Sequence, residues 1–356
     1  MNRHNIRSDH AARPRRAVVT GSCGLVGSAV CEALLQSGCT VIGVDADMRK
    51  VFFGDEGSTS GVRATLEKSA AYKHCASDVA NLEKMSEIMS QMRPELVVHC
   101  AAQPSHDRAA AIPLLDAQTN VLGTLSVLES VKMHCPTAVF VHLSTNKVYG
   151  DNPNKLDLVE LRTRLDYADG RCGIDESMST SGGVHSLFGV SKLAAEAYVT
   201  EYGTNFGIKT CSLRGGCLTG AGHASVELHG FLSYIIKCAV TRKHYSVFGF
   251  GGKQVRDQLS AKDVAELIMA LFAEPPAPGS AFNIGGGRAN SASVLEIISA
   301  LRDEHHLELE WELDSRTRTG DHACYITDNG AITRATGWQP KVPLQQIIAE
   351  IIRSFA

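Results

Sequence analysis

The stretch TGSCGLVG (residues 20–27) decides the fold of this 356-residue chain. It follows a short apolar run, AVVTG, and leads into residues 25–38, whose apolar side chains recur at the spacing of an α-helix. Gly21, Gly24 and Gly27 let the backbone approach a pyrophosphate closely, and the amides at the helix N-terminus attract its negative charge. A strand, a glycine-rich turn and a helix in this order predict a dinucleotide-binding site.

The same alternation continues outward from this turn. Further apolar runs, separated by helical patterns, predict a parallel sheet that is covered by helices on both faces. These runs are TVIGVD (40–45), ELVVHCAA (95–102), AVFVHLS (138–144) and KTCSLRG (209–215). The sequence therefore predicts an α/β fold, with a Rossmann-type doubly wound parallel sheet over residues 17–215.

The alternation of strands and helices changes after this predicted domain, once within it and before it. Short strands mix with helices over residues 216–356, which predicts a smaller C-terminal α/β region that binds substrate and exchanges some strands or helices with the sheet domain. Residues 150–184 are rich in Asp, Asn, Gly and Ser and predict a long loop excursion near the active edge. Residues 1–16 are polar and Arg-rich and predict a disordered tail.

Composition narrows the class of protein. The formal net charge of −3 offers no strong field for nucleic acid, and no apolar run approaches the ~20 residues of a membrane-spanning helix. The eleven cysteines form no CxxC pair, so they lack the clustered spacing of a structural metal site. We expect free thiols in a reducing cytoplasm, with no metal, membrane or nucleic-acid partner.

Two carboxylates are candidates for reading the cofactor. Asp45 ends the second strand, where a carboxylate accepts hydrogen bonds from the adenine ribose and repels a 2′-phosphate. This position favours NAD over NADP. Asp78 ends another candidate strand in SDVANL, and it either meets the adenine edge or caps the following helix.

Motifs farther along the chain resemble the extended short-chain dehydrogenase/reductase superfamily. They are NVLGT (120–124), STNKVYG (144–150), HSLFGVSK (185–192), GKQVRD (252–257) and FNIGG (282–286). Together they are most similar to the CDP-paratose 2-epimerase group, also called CDP-tyvelose 2-epimerases, over essentially residues 17–356. The resemblance implies an NAD-dependent nucleotide-sugar epimerase that oxidises its substrate transiently to a keto sugar and reduces it again, at C2 of a CDP-sugar.

The resemblance also implies which residues meet the cofactor and how the chain assembles. The implied NAD contacts are Gly21, Cys23, Gly24, Leu25, Gly27, Asp45, Asp78, Val79, Ala101, Ala102, Gln103, Asn120, Lys192 and Arg214. Members of the superfamily commonly form homodimers through two long helices. Residues 113–134 and 186–205 have helical patterns that suit such an interface.

One position departs from the superfamily's catalytic pattern. In that pattern a Ser or Thr orients the sugar hydroxyl, a Tyr removes its proton, and a Lys lowers the pKa of the Tyr and binds the nicotinamide ribose. Thr145 and Lys192 match the first and last of these residues, but Phe188 stands at the Tyr position. General-base help is typically worth about 10²- to 10⁴-fold, so its loss alone need not abolish turnover.

Several side chains are candidates for the missing base. Lys147 and His185 are the first two, with His106, Lys192 itself or a bound water as alternatives. The related 4,6-dehydratases carry Asp and Glu where this chain has Asn146 and Lys147, which argues against dehydration. Lys147 can equally be a positioning contact, and His185 a loop hydrogen bond.

Other residues are assigned to the substrate. Ser105 and His106 follow the strand end beside the nicotinamide; His106 and Asp107 are either a proton-handling pair or the start of a helix capped by Ser105 or Asp107. Arg256 and Arg318 match the superfamily's two diphosphate-binding arginines. The predicted substrate contacts are Ser105, His106, Asn146, Lys147, His229, Arg256 and Arg318.

Two other functions remain open from the sequence. The chain is alternatively a different nucleotide-sugar epimerase or an oxidoreductase of the same superfamily. Because Phe188 cannot accept a proton, a non-catalytic protein that binds NAD or a sugar nucleotide is the third hypothesis.

Overall fold

The computed structural model describes residues 15–222, 230–316 and 320–355. Nearly all of the predicted tail lies outside these residues, and so do His229 and Arg318. Arg16, which we assigned to the tail, is instead the first residue of a central strand. Arg15 is also fixed, because its guanidinium lies 3.3 Å over the centre of the Phe272 ring.

The described residues form fifteen strands and thirteen α-helices. The strands are β1 (Arg16–Thr20), β2 (Thr40–Val44), β3 (Tyr72–Cys75), β4 (Leu96–His99), β5 (Val139–Thr145), β6 (Leu158–Glu160), β7 (Leu165–Tyr167), β8 (Lys209–Gly215), β9 (Cys217–Thr219), β10 (Tyr245–Phe248), β11 (Val255–Ser260), β12 (Ser280–Ile284), β13 (Ser291–Ser293), β14 (Trp311–Asp314) and β15 (Cys324–Tyr325). The helices are α1 (Leu25–Gln36), α2 (Met48–Phe53), α3 (Ser60–Leu66), α4 (Leu82–Met92), α5 (His106–Ala111), α6 (Pro113–Ala117), α7 (Gly123–His134), α8 (Leu187–Phe206), α9 (Phe231–Thr241), α10 (Ala261–Ala273), α11 (Val294–His305), α12 (Gly330–Thr336) and α13 (Leu344–Arg353).

A seven-stranded parallel sheet forms the centre of the molecule, in the order β12-β8-β5-β4-β1-β2-β3. Side chains of β1 alternate between its faces: Ala17 and Val19 pack with α1 and α10, whereas Val18 packs with α4, α7 and α8. Burial on both faces explains the continuous apolar runs. This sheet confirms the predicted Rossmann-type fold. The strand order reverses at β1, so the ligand cleft is expected at the carboxyl edge beside it.

The C-terminal part of the chain contributes to both layers of the molecule. The seventh strand of the central sheet is β12, which pairs with β8, and α10 packs against α1. A second sheet joins β13, β11 and β15, with β9 pairing to the other end of β11. Apolar residues of α9, α11 and α13 form a separate core beside it. Strand β12 and helix α10, from the C-terminal part of the chain, therefore belong to the central sheet and its covering helices.

Three local features differ from the sequence-based expectations. The strand predicted to end at Asp78 ends at Cys75, and the next helix is capped by Asn81, whose side chain accepts the Lys84 N–H. The long helix predicted over 113–134 is α6 and α7 joined by a π-helical turn. The excursion over 150–184 contains the antiparallel pair β6 and β7.

The described ranges contain no helix that is both long and apolar enough to cross a membrane. All eleven cysteines lie within these ranges, and each is a free thiol. Seven of the eleven are buried, as expected for small apolar side chains in a core.

Candidate active site

A cavity of about 430 Å³ lies along the carboxyl edge of the central sheet. Gly21 and Asp45 line one end, Thr145 lies in the middle, and Gln254 and Arg256 line the other end. Its volume is within the usual range for small-molecule sites, about 300–1,000 Å³. The cleft therefore joins the predicted cofactor residues to the predicted substrate residues.

The glycine-rich turn forms the cofactor end of this cleft. Gly21 has φ +63°, and a Cβ there would lie 2.7 Å from the Ala101 nitrogen; a Cβ on Gly27 would lie 2.0 Å from the Gly21 carbonyl oxygen. Both positions thus require glycine. Gly24 caps α1 and Leu25 begins it, and both line the cavity. The turn leaves the N-terminus of α1 open to the cleft, which fits the pyrophosphate of a dinucleotide.

Asp45 connects this turn to the end of β2. Its Oδ2 accepts the Cys23 N–H at 2.9 Å, and its Oδ1 accepts the Asp47 N–H at 2.8 Å. Burial raises the pKa of the Asp45 carboxyl. Cys23 itself is buried and contributes its backbone amide rather than a side chain on the cavity wall. These bonds hold Asp45 at the cleft, where the predicted ribose contact requires it.

The loops after β3 and β4 complete the cofactor end. Asp78 and Val79 line the cavity, and Asp78 Oδ1 accepts the Ala80 N–H at 2.9 Å. The structure therefore places Asp78 in a turn, not at a helix cap. Ala101 and Ala102 also line the cavity.

Gln103 and Asn120 lie behind the cavity wall rather than on it. The Gln103 amide donates to Asp116 Oδ1 at 2.8 Å, while Asn120 Nδ2 donates to Ser191 Oγ at 3.0 Å. Asn120 Oδ1 accepts the Gln103 N–H. These bonds join the loop after β4 to α8, so both residues position the site in this structure.

The first turns of α8 carry Phe188 and Lys192. The helix is capped by Ser186, whose side chain accepts the Gly189 N–H at 3.1 Å. Phe188 is buried and is among the residues that line the cavity. Lys192 Nζ donates to the Leu143 carbonyl at 2.6 Å and lies 3.0 Å from His142 Nε2. Burial lowers the pKa of the Lys192 amine to about 8.

Arg214 belongs to the framework beneath the cleft in this structure. Its guanidinium forms a buried ion pair with Glu196, with an Nη2–Oε1 distance of 2.6 Å. It also donates to the Tyr149 hydroxyl at 2.9 Å, and that hydroxyl donates to Asn283 Oδ1 at 2.7 Å. Gly215 and Gly216, rather than Arg214, line the cavity beyond β8.

A charged cluster lies where β5 meets the C-terminal region. Lys147 Nζ lies 3.2 Å from Asp321 Oδ1 and donates to the Gly320 carbonyl at 2.9 Å. Arg256 Nη2 lies 2.6 Å from the same Asp321 oxygen. Burial lowers the pKa of the Lys147 amine. Although burial acts to raise the pKa of Asp321, Arg256 and Lys147 hold it well below its usual range.

The hydroxyl residue of the site immediately precedes this cluster. Thr145 ends β5, and its Oγ1 accepts the Lys147 N–H at 3.2 Å. Thr145, Asn146 and Lys147 all line the cavity, as do Phe188 and Lys192. The structure thus brings the predicted catalytic residues together, with one exception.

His185 is that exception, because it faces the backbone instead of the cleft. Its Nε2 lies 2.9 Å from the Val148 carbonyl and its Nδ1 lies 3.2 Å from the Gly183 carbonyl. Ser105 caps α5 by accepting the Arg108 N–H, which supports the helix-start interpretation of this segment. His106 follows it on the cavity wall, with Nδ1 3.4 Å from Asp107 Oδ1.

The structure also adds residues that we did not predict. Asp321 follows Arg318 closely in RTRTGDH, and its position beside a predicted arginine was the available signal. Gln254 and Gln258 also line the cavity. Gln254 lies in the motif GKQVRD, but the resemblance assigned no role to it, and Gln258 lies outside that motif.

Comparisons with known proteins identify the family of this chain. The NAD dependent epimerase/dehydratase family matches residues 17–285. A CDP-paratose 2-epimerase from Salmonella typhi is 31% identical over 92% of this chain and 95% of that protein. A dTDP-glucose 4,6-dehydratase from Salmonella typhimurium is 26% identical over 91% of this chain and 88% of that protein.

A solved structure shows the same fold. It is the structure of a UDP-glucuronic acid 4-epimerase from Bacillus cereus in complex with UDP-glucuronic acid and NAD. It superposes with a TM-score of 0.79 at 23% identity, covering 95% of this chain and 98% of that chain.

Proposed function

The chain belongs to the NAD-dependent epimerase/dehydratase family, which confirms NAD as the predicted cofactor, and from this premise we propose that it is a nucleotide-sugar epimerase. We propose that it inverts C2 of a CDP-linked sugar through a transient keto sugar. The observation that carries this proposal is that Thr145, Lys147 and Lys192 line the same cavity as the glycine-rich turn. The 31% identical CDP-paratose 2-epimerase supports the choice of sugar nucleotide and carbon.

The residues of the cleft have separate tasks in this proposal. When bound, NAD would supply the hydride acceptor and donor for the oxidation and re-reduction of the sugar. Gly21, Gly24 and Asp45 would hold the dinucleotide, and Lys192 would hold the nicotinamide ribose. Thr145 orients the sugar hydroxyl that loses its proton, and Arg256 holds the diphosphate by charge-assisted hydrogen bonds.

We propose Lys147 as the base that replaces the missing phenol. It lies on the cavity wall two residues after Thr145, and burial lowers the pKa of its amine. His185 is a weaker candidate, because both of its ring nitrogens face backbone carbonyls. Lys192 has a suitable pKa of about 8, but its proposed task is to hold the ribose.

The activity is tested by incubating the NAD-loaded protein with CDP-, UDP-, dTDP- and GDP-linked sugars. Nuclear magnetic resonance identifies any epimer, and the NADH absorbance band reports net oxidation. We expect an epimer of a CDP-sugar without accumulation of NADH. An epimer of another nucleotide sugar would correct the nucleotide, and accumulation of NADH would identify an oxidoreductase instead. Binding of a sugar nucleotide without turnover would favour the non-catalytic hypothesis.

The base is tested by a rescue series. Lys147→Gln is expected to lower kcat by about 10²- to 10⁴-fold while NAD stays bound, and Phe188→Tyr in that background is expected to restore part of the loss. Lys262→Gln is the matched control, because Lys262 is exposed and pairs with Glu350 away from the cleft. A Lys147→Gln variant with unchanged kcat would exclude the base role of Lys147 and leave the epimerase proposal standing.

We also propose a homodimer, formed through α7 and α8. Leu187, Val190 and Tyr198 share one face of α8 and are exposed, and Met133 is exposed on α7. An exposed apolar stripe of this kind is typical of an interface. Sedimentation analysis is expected to give a dimer for the wild type and a monomer for Val190→Glu. A monomeric wild type would contradict this assembly.

A further inference from the structure

Three polar side chains, one just before β11 and two on it, line the cleft. Gln254, Arg256 and Gln258 all line the cavity, because side chains two residues apart point to the same face of an extended chain. Arg256 is paired with Asp321 and donates to the Val255 carbonyl, and the Gln254 amide donates to the Phe248 carbonyl at 3.0 Å. Gln258 is different from both of its neighbours.

Neither polar atom of the Gln258 side chain has a hydrogen-bond partner. The residue is 0% exposed, and both Nε2 and Oε1 are unpartnered. A buried polar group without a partner costs about 1–3 kcal/mol, so native proteins rarely leave a whole amide in this state. Gln258 is among the residues that line the cavity, so a molecule bound there that reaches the amide can supply the missing partners.

Strand register places Gln258 near the reacting end of the cleft. Thr145 pairs with Gly215 at the end of β5 and β8, and Cys217, two residues later, pairs with Gln258 of β11. Paired strands lie about 4.8 Å apart. Gln258 is thus connected to the hydroxyl residue of the site through two strand pairings, and it lies two residues along β11 from the arginine assigned to the diphosphate.

The chemistry of an amide limits what fills this position. Nε2 requires an acceptor and Oε1 requires a donor, so phosphate oxygens, which only accept, can satisfy half of the group. A sugar hydroxyl both donates and accepts. We infer that Gln258 binds hydroxyl groups of the sugar ring and thereby selects the sugar and its orientation. This inference rests on the proposed function, because it assumes a nucleotide-sugar substrate.

The test compares one ligand pair that differs only in its sugar. CDP and CDP-glucose are titrated calorimetrically into the NAD-loaded wild type, Gln258→Met and the control Gln346→Met, whose side chain is exposed on α13. Met keeps the volume of Gln and removes both polar atoms. We expect Gln258→Met to weaken CDP-glucose binding by about 5- to 150-fold and to leave CDP binding unchanged. The control is expected to change neither.

The other outcomes would overturn the inference in distinguishable ways. An equal loss for CDP and CDP-glucose would assign Gln258 to the nucleotide or its diphosphate, and no loss for either would leave it without a ligand. A lower melting temperature of ligand-free Gln258→Met would show a structural role, since removal of an unpartnered amide is expected to leave that temperature equal or higher. Binding of neither CDP nor CDP-glucose to the NAD-loaded wild type would overturn the inference together with the CDP-sugar proposal.

Discussion

The two ends of the cleft differ in how their polar groups are satisfied. At the cofactor end, Asp45 accepts two backbone amides, and Lys192 donates to a strand carbonyl. At the substrate end, Gln258 lacks both partners and Gln254 Oε1 lacks its partner. Asp45 and Lys192 are therefore held by groups of the fold itself, whereas Gln258 is proposed to take its partners from a ligand.

This difference teaches which residues serve the fold and which serve recognition. A self-satisfied network such as Glu196–Arg214–Tyr149 stabilises the sheet whether or not a ligand is bound. An unsatisfied buried amide lowers stability and is explained by a function. Variants at the two ends should therefore have opposite signatures in stability and in binding.

The largest expected effect sharpens the comparison at Arg214. Arg214→Leu leaves Glu196 buried without its partner and is expected to lower the free energy of unfolding by about 3–5 kcal/mol. Urea unfolding measures this loss, and the double variant Arg214→Leu/Glu196→Leu should recover part of it. If Arg214→Leu weakened NAD binding while stability stayed unchanged, Arg214 would belong to the cofactor site, as the resemblance implies.

The second effect is a pH dependence at Lys192. Burial disfavours the charged amine, so between pH 8 and 10.5 the unfolded chain binds more protons than the fold, and the free energy of unfolding rises with pH. The full depression from 10.5 to about 8 corresponds to about 3 kcal/mol. Without NAD, the free energy of unfolding of the wild type should rise by this amount relative to that of Lys192→Met as the pH is raised through this range. Lys262→Met should behave as wild type. Equal slopes of the free energy of unfolding against pH in all three proteins would show that folding does not lower the pKa of Lys192.

The third prediction breaks the cofactor end alone. Gly27→Ala forces a Cβ to within 2.0 Å of the Gly21 carbonyl oxygen, so the turn must shift, at a cost of about 1–3 kcal/mol. NAD binding should weaken sharply. Gly61→Ala is the control, because a Cβ there meets nothing within 4 Å. Retention of NAD by Gly27→Ala with normal affinity would show that the turn does not hold the dinucleotide.

The smallest expected effect concerns Phe188. Phe188→Tyr adds a hydroxyl to a residue that lines the cavity, so the free energy of unfolding should change by less than about 1 kcal/mol, and NAD binding should persist. Urea unfolding and NAD titration check both expectations. A loss of several kcal/mol would mean that the ring is enclosed by core and that the position cannot hold a phenol.

Local sequence predicted the parts of the site that depend on neighbours along the chain. The turn at Gly21–Gly27 lies within one strand–turn–helix unit, so its spacing identifies it. The pair Phe188 and Lys192 lies within about one helical turn, and the resemblance to the superfamily identifies it. The fold could be predicted from local sequence as well, because each strand of the parallel sheet carries its own apolar run.

The remaining features depend on contacts between distant parts of the chain. Asp321 meets Lys147 and Arg256 from far along the sequence, and no spacing rule predicts that convergence. The role proposed for Gln258 depends on the missing hydrogen-bond partners of its amide, which only the folded structure reveals. The strand expected to end at Asp78 was wrong because local turn chemistry, an Asp78 side chain that accepts the Ala80 amide, ends the extended run earlier.

The isotope content of the product tests the central claim most directly. The NAD-loaded protein is incubated in deuterium oxide with CDP-linked sugars, and the inverted carbon is examined by nuclear magnetic resonance. Transient oxidation returns the same hydrogen to the sugar, so the account predicts an epimer without solvent deuterium at that carbon. Deuterium at the inverted carbon, or no epimer while NAD remains bound, would contradict it.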